Sequence, residues 1–554
     1  RSMTIEGAYN PTVTKTEKIM PVPDKPVTET KTAQVSYLTD TNPLQNLQRN
    51  PMGAFSENSD DVIPASYTGL VRFGYGLRNV HDGLLDFDWN ISEKDELKVW
   101  GILDAWASKP SDDWKSRMFN GDLTAVYTHR FDAFTIDIDG AIGHSHFNYR
   151  RGVNMDDIKY QNSSLMQSTG RERLGAALRG DAYDLKWHAG AGMEWLSRDG
   201  LELNGVSRDN KERLLRIEGG FSMPILGGTG GMEYRQKSAI YDWQGINGCD
   251  YSNFTTLTFT PYWKQSWGDV DADLGFNIDI RTAAGYKFLM SPMATLTYKS
   301  RENLKLQAGL TGGLVDNSMR SLSRISPYWS EEKRIRDGYT VVDLSFGASY
   351  WQGTWLTLSG KAGYRYSIDE VFQTVDDSLI VTSILKQQTS NLFYVRLDAA
   401  MQFSDRASVN MDITYNNYLG LYIGHKMDLK PAFDTNVFGT LKIIDGLDAM
   451  LSYRMMLFHK VNGTAMPAVN DLSLTFDYDF LPNLSLFLTG SRLVGGDWYY
   501  YAGYRAIKPS VIGGAGTTFY QTNGHGGNYF KQRREAGYVM EIFANMFDCY
   551  MSKD

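Results

Sequence analysis

Between Leu472 and Leu488 the chain alternates with a period of two. Leu472, Leu474, Phe476, Tyr478 and Phe480 interleave with Ser473, Thr475, Asp477 and Asp479, and beyond Pro482-Asn483 the pattern resumes at Leu484, Leu486 and Leu488. Successive side chains of a strand point to opposite faces, so this stretch reads as a hairpin with one apolar and one polar face. One such hairpin would suit any half-buried antiparallel sheet. The same pattern recurs along the chain in segments of about ten residues, the length of a tilted strand crossing a bilayer.

Composition excludes the helical alternative. In 554 residues with a formal net charge of -8 and 22% charged side chains, no apolar run approaches the roughly 20 residues of a membrane helix. A barrel strand gives only half its residues to lipid, so polar composition is expected of it. The 33 Tyr and 13 Trp suit interfacial girdles, and the 53 Gly suit strands that bend and pack closely. Only Cys249 and Cys549 are present, too few for a disulfide framework. The strand order puts them on opposite sides of the membrane, where they cannot pair.

Twenty-two candidate strands run from Thr68–Leu77 to Ala536–Phe547. Short connections such as Ser92–Asp95, Pro224–Gly227 and Gly268-Asp269 alternate with long ones at 108–120, 145–171, 316–338, 367–390 and 492–535. Outer-membrane barrels distribute periplasmic turns and extracellular loops in this way. The expected fold is all-β: a transmembrane antiparallel β-barrel of about 22 strands with short periplasmic turns, long extracellular loops and no plug domain. Residues 1–62 read as an extended periplasmic tail, since seven of the 16 prolines fall before position 65. Residues 63–547 form the barrel and 548–554 a short periplasmic extension.

The faces assign candidate functional residues. Phe134, Ile136, Ile138 and Ile142 should face lipid, as should Leu274, Phe276, Ile278 and Leu451. Asp137, Asp139, Asp271, Asp273, Asp279, Asp477 and Asp479 fall on the other face, where they line the lumen as ion-paired wall or as a charge filter. In the last long connection Trp498, Tyr499, Tyr500, Tyr501, Tyr529 and Phe530 lie among glycines, a composition suited to partner contact or to a lid folded into the lumen. Residues 316–338 carry Arg320, Arg324, Lys333, Arg334 and Arg336, which read as a solvated loop partly neutralised by Glu331 and Glu332, or as a contact for anionic lipopolysaccharide. His144 and His146 share a strand face but have no third ligand or orienting carboxylate by spacing. No catalytic residue, metal site or cofactor is assigned, and no enzymatic activity is expected.

The opening Ile5-Glu6-Gly7-Ala8-Tyr9-Asn10-Pro11-Thr12-Val13, followed by a Lys/Pro-rich stretch and a barrel-sized run of alternating strands, resembles plugless outer-membrane barrels of Bacteroidota related to TonB-dependent receptors. The resemblance implies 22 strands, a place in the bacterial outer membrane, and membership of larger envelope complexes with surface lipoproteins or the barrel-assembly machinery. The expected function is accordingly an integral subunit of a multi-protein envelope complex, docking through its outer loops and N-terminal tail. Its partners would be outer-membrane lipid, lipopolysaccharide and other outer-membrane or lipoprotein subunits, with no nucleic acid. The alternative is a channel or transporter for a polar solute.

Overall fold

The computed structural model describes residues 67–111, 114–152, 165–199, 209–243, 251, 253–282, 288–331, 335–376, 382–419, 430–458, 467–481, 483–494, 496, 499–501, 504–506 and 508–520. The chain divides into two compact units, Arg1–Asp40 and Thr41–Asp554, and every described residue belongs to the second.

In chain order the strands are β1 (Tyr67–Gly76), β2 (Val80–Asn90), β3 (Asp95–Ser111), β4 (Trp114–Arg130), β5 (Phe134–Asn148), β6 (Met166–Ala182), β7 (Leu185–Arg198), β8 (Asn210–Ile225) and β9 (Gly228–Asp242). β10 (Phe254–Trp267), β11 (Val270–Arg281), β12 (Phe288–Arg301) and β13 (Leu304–Val315) lead to a short helix, α1 (Met319–Ile325), and β14 (Trp329–Glu331). Then follow β15 (Gly338–Gln352), β16 (Leu356–Asp376), β17 (Thr382–Ser404), β18 (Ala407–Tyr418), β19 (Pro431–Ile444), β20 (Leu447–Phe458), β21 (Val469–Leu481) and β22 (Leu484–Ser491). The last three are β23 (Tyr499–Tyr501), β24 (Tyr504–Arg505) and β25 (Ser510–Tyr520).

Twenty-two of these strands, all except β14, β23 and β24, form one antiparallel ring. Each pairs with its sequence neighbours, and β25 closes on β1 from Tyr67↔Tyr520 to Gly76↔Ile512. Closure leaves no sheet edge, so the backbone donors and acceptors of the apolar layer are satisfied within the wall.

Side chains segregate as the period requires. On the outside, Phe73, Ile138, Ile142, Leu174, Leu274, Phe276, Phe346, Leu397 and Leu451 are exposed although apolar. On the inside, Asp139, Asp279, Arg281, Asp343, Arg365 and Asp477 are buried although charged. A water-soluble sheet protein would show the reverse, because exposing this much contiguous apolar surface to water costs too much. The chain is an outer-membrane β-barrel. No helix among the described residues is long and apolar enough to cross a membrane; the strands do the crossing.

The periplasmic turns are tight. β8 and β9 are joined from Ile225 to Gly228 through Leu226 and Gly227, both with positive φ (53° and 77°), the pairing that fits the twist of a two-residue hairpin. Gly446, at φ 83°, turns β19 into β20.

Two expectations from the sequence are corrected at the outer rim. The closing strand is β25, inside the stretch read as the loop 492–535, whereas 536–547 lies outside the described residues. The Gly513-Gly514-Ala515-Gly516 run, among the glycines of that stretch, is part of β25. It is strand because β22 and β1 crowd it: a Cβ at Gly514 would meet the Phe487 ring and the Phe73 carbonyl. Likewise, the stretches 108–120 and 367–390 are mostly not loops. The β3–β4 ladder continues to Ser111↔Trp114, and the β16–β17 ladder to Asp376↔Thr382, in strands of 21 and 23 residues. These hairpins rise well beyond the roughly ten residues that a bilayer needs.

Candidate functional site: a bridged outer mouth

The sequence reads residues 316–338 as a solvated loop or a contact for lipopolysaccharide. Of the stretch between β13 and β15, the described residues 316–331 and 335–337 are instead largely buried, with Arg324 and Arg336 exposed. The segment begins with α1, which forms because Ser318 caps it: its Oγ accepts from Ser321 N at 3.3 Å. Met319 and Leu322 fall on one helical face and are 1% and 0% exposed. The helix stops at Ile325 because Ser326 precedes Pro327 and is therefore pushed to an extended conformation, φ -158° and ψ 135°.

Three sectors of the barrel hold the segment. At β7 to β9, the Glu212 carboxylate accepts from Met319 N (2.8 Å) and Arg320 N (3.1 Å), the two backbone donors that open α1. Asp316 receives Lys237 Nζ at 2.6 Å and Arg216 Nη2 at 2.8 Å, and Lys237 also donates to Asp337 at 2.8 Å. Arg216 is shared with Glu194 (3.0 Å), which in turn faces Arg320 at 3.4 Å. Burial alone would raise the Asp316 pKa; Lys237 and Arg216 overcome it and hold the carboxyl well below the usual carboxylate range. Arg198 donates to the Trp329 carbonyl at 3.1 Å and to Tyr149 Oη at 2.6 Å.

At the second sector, β14 pairs in parallel with β17, Trp329↔Ser383 to Glu331↔Leu385. Ser383 N donates to the Tyr328 carbonyl at 3.0 Å, and the hydroxyls of Ser326 and Ser383, both 0% exposed residues, lie 3.3 Å apart. Arg336 N donates to Gln387 Oε1 at 2.8 Å. The β16–β17 hairpin reaches this position because a bulge between Ser367 and Glu370, with Asp369 at φ 56°, bends it. Glu370, buried at the bend, accepts from Ser390 and from Lys430 Nζ.

The third sector is aromatic. Tyr328 packs edge-on against Phe147 of β5 at 5.0 Å and stacks on Tyr504 of β24 at 3.5 Å and 8°, with Trp114 of β4 edge-on to Tyr504 at 5.2 Å. Burial pushes the Tyr328 phenol above its ordinary value, as it does that of Tyr504. Trp243 stacks on Trp329 at 5.8 Å, and Tyr251 Oη accepts from Ile335 N at 3.1 Å.

Tyr328 thus touches β5 and β17 at once. β5 and β17 stand opposite each other in the ring, with ten strands between them each way. Strands about 4.8 Å apart and tilted about 40° give such a ring a diameter of roughly 40 Å. One residue can meet both walls, by its ring on Phe147 and its backbone carbonyl on Ser383, only where the mouth is bridged. Burying Met319, Leu322 and Trp329 contributes roughly 5 to 9 kcal/mol to keeping the bridge seated.

The aspartates singled out from the sequence are spread over β5, β11 and β21, each among its own neighbours. Asp137 accepts from Thr128 Oγ1 (2.6 Å) and pairs with Arg179 (3.0 Å); Asp139 pairs with Arg173 (2.7 Å), Asp271 with Lys299 (2.9 Å) and Asp273 with Lys264 (3.0 Å). Asp279 accepts from Thr258 Oγ1 at 2.5 Å. Asp477 stands between Asp448 and Phe487 in the ladder, and Asp479 opposite Ser485. Gly175 makes one of these pairs possible: a Cβ there would strike the Asp139 carboxylate that reaches Arg173.

Of the aromatic set, Tyr499, Tyr500 and Tyr501 form β23, paired with β24, while Trp498, Tyr529 and Phe530 lie outside the described residues, as do Cys249 and Cys549. The aromatic that reaches the mouth is Tyr504, which the sequence reading passed over. Its Tyr-rich neighbourhood was the available signal. His144 is exposed near the outer end of β5, 3.3 Å from Ser168 Oγ, and no group of three metal-ligating side chains occurs among the described residues.

No family model matches the sequence, and no curated protein does. Solved structures do match in fold. The siderophore receptor PirA from Acinetobacter baumannii superposes with a TM-score of 0.62 at 12% identity, over 83% of this chain and 81% of that one. A variant of the ferric enterobactin receptor PfeA from Pseudomonas aeruginosa gives 0.63 at 12%, over 82% and 81%. The ferric-catecholate import receptor Fiu from E. coli gives 0.59 at 11%, over 82% of each. The chain has the barrel fold of these receptors, and identities this low establish the fold alone.

Proposed function

We propose that this chain carries a polar solute across the outer membrane, through a lumen whose outer entrance is narrowed by residues 316–337. The observation that carries the reading is the inner wall: a closed ring of 22 strands lined by paired charges such as Asp139–Arg173 and Asp434–Arg454. A purely structural wall gains little from buried ion pairs, since their desolvation cost rivals their attraction. A water-filled route for a polar solute accounts for them directly. The similar barrels are named as receptors for siderophores and ferric enterobactin; their likeness supports the transport class and leaves the solute unspecified.

The alternative, a scaffold within an envelope complex, draws on the tail 1–62, and no feature among the described residues of the barrel supports it. Planar-bilayer conductance and solute uptake into proteoliposomes test the proposal. Currents or uptake above those of empty membranes support it; silence in both assays rejects it.

A further inference from the structure

We infer that residues 316–331, with 335–337, are a fixed strut across the mouth, not a lid that swings aside, so that solutes pass beside the segment through openings of constant size. The inference rests on the transport reading for its consequence, but its physical argument stands on the segment alone. Lids are drawn from the weakly held parts of a protein, with few buried apolar contacts. This segment has the opposite character. Met319, Leu322, Ser326, Trp329 and Ser330 are all at most 2% exposed.

Its attachments also differ in kind from a hinge. A lid pivots on its two ends and is free along one side. Here the ends are themselves clamped, Asp316 and Asp337 sharing Lys237, and the middle is attached to both sides of the ring, through β14 to β17 and through Tyr328 to Phe147. Swinging the segment away from either wall would break the β14–β17 ladder or uncover the aromatic cluster of Trp114, Phe147, Tyr149 and Tyr504. The charges consumed at the β7–β9 wall would be left buried and unpaired. The size limit for solutes is therefore set by the folded mouth and does not change on solute binding.

Ser326 and Ser383 give the test, because their hydroxyls already lie 3.3 Å apart. In a background with Cys249→Ser and Cys549→Ser, the pair Ser326→Cys and Ser383→Cys is oxidised to bolt the strut to β17. A fixed strut leaves conductance within twofold of the reduced protein. Transport that stops on oxidation and returns on reduction overturns the inference.

A second readout needs no transport at all. In the same cysteine-free background, Ser326→Cys alone is treated with a membrane-impermeant maleimide during solute exposure and compared with Leu77→Cys, exposed at the outer end of β1. Protection of at least tenfold supports the strut, and equal labelling rates reject it. Heat-modifiable migration on gels confirms that each variant is folded; should the double variant misfold, the single-cysteine labelling decides. A protein that neither conducts nor transports would sink the transport reading while leaving this labelling result to judge the strut.

Discussion

At the periplasmic rim β8 turns into β9 on Leu226 and Gly227 alone, whereas at the outer rim β13 and β15 are separated by a segment that holds a helix, a strand and a buried ion-pair network. The first connection is decided locally: two residues in the left-handed region match the twist of the strands they join. The second is decided by contacts with side chains about a hundred residues away, such as Glu212 and Lys237. One rim closes the wall and the other bridges its mouth. Damage to the two should therefore separate cleanly in experiment.

The largest effect is expected at the mouth. Lys237→Met removes the cation shared by Asp316 and Asp337, and stranding buried carboxylates costs about 3 to 5 kcal/mol. The strut should loosen while the barrel persists, seen as new protease cleavage within 316–337 with heat-modifiability retained. If the barrel itself unfolded at lower temperature by a similar margin, the separation of mouth from wall would fail.

The wall comes next. Ile138→Arg places a cation on a lipid-facing site, where it costs about 2 to 4 kcal/mol near mid-membrane. Reversible folding into vesicles should record that loss, with protease resistance of 316–337 unchanged. An unaltered folding free energy would mean that Ile138 does not face lipid.

At the periplasmic turns the effect is smaller. Gly446→Val forces a β-branched residue into φ 83°, at about 1 to 2 kcal/mol. Urea titration should show that shift, with no change in conductance.

Acid should do least near neutrality. The Asp316 pKa is depressed in the folded state, so its stabilising contribution is present above the unfolded value and lost only as pH falls through the folded one. The strut should thus keep its protease resistance from pH 7 to pH 5 and loosen only under strong acid. Release near pH 6 would show that the group whose titration governs the attachment is not Asp316.

Much of the wall could be read from the chain. The alternation at Leu472–Phe480 and at Val270–Ile280 placed those strands, because a side-chain period of two is a local property that lipid enforces at every position. The Gly-rich strand β25 escaped because glycine has no side chain with which to declare a face. Arg320 was legible as a charge but not as a buried one, since nothing near it in sequence supplies its carboxylate; Glu194 does, from β7.

By itself the sequence determined that this protein is a barrel: that its strands carry one apolar and one polar face, and how tightly most of them are joined at the periplasmic side. Tertiary structure alone decided that the outer end is bridged, that β16 and β17 bend inward at Asp369, and that Tyr328 and Tyr504 stack. The reason is the range of the forces involved. A strand's two faces are set by its own residues and the bilayer, but a strut exists only once walls far apart in the chain stand close enough to hold it.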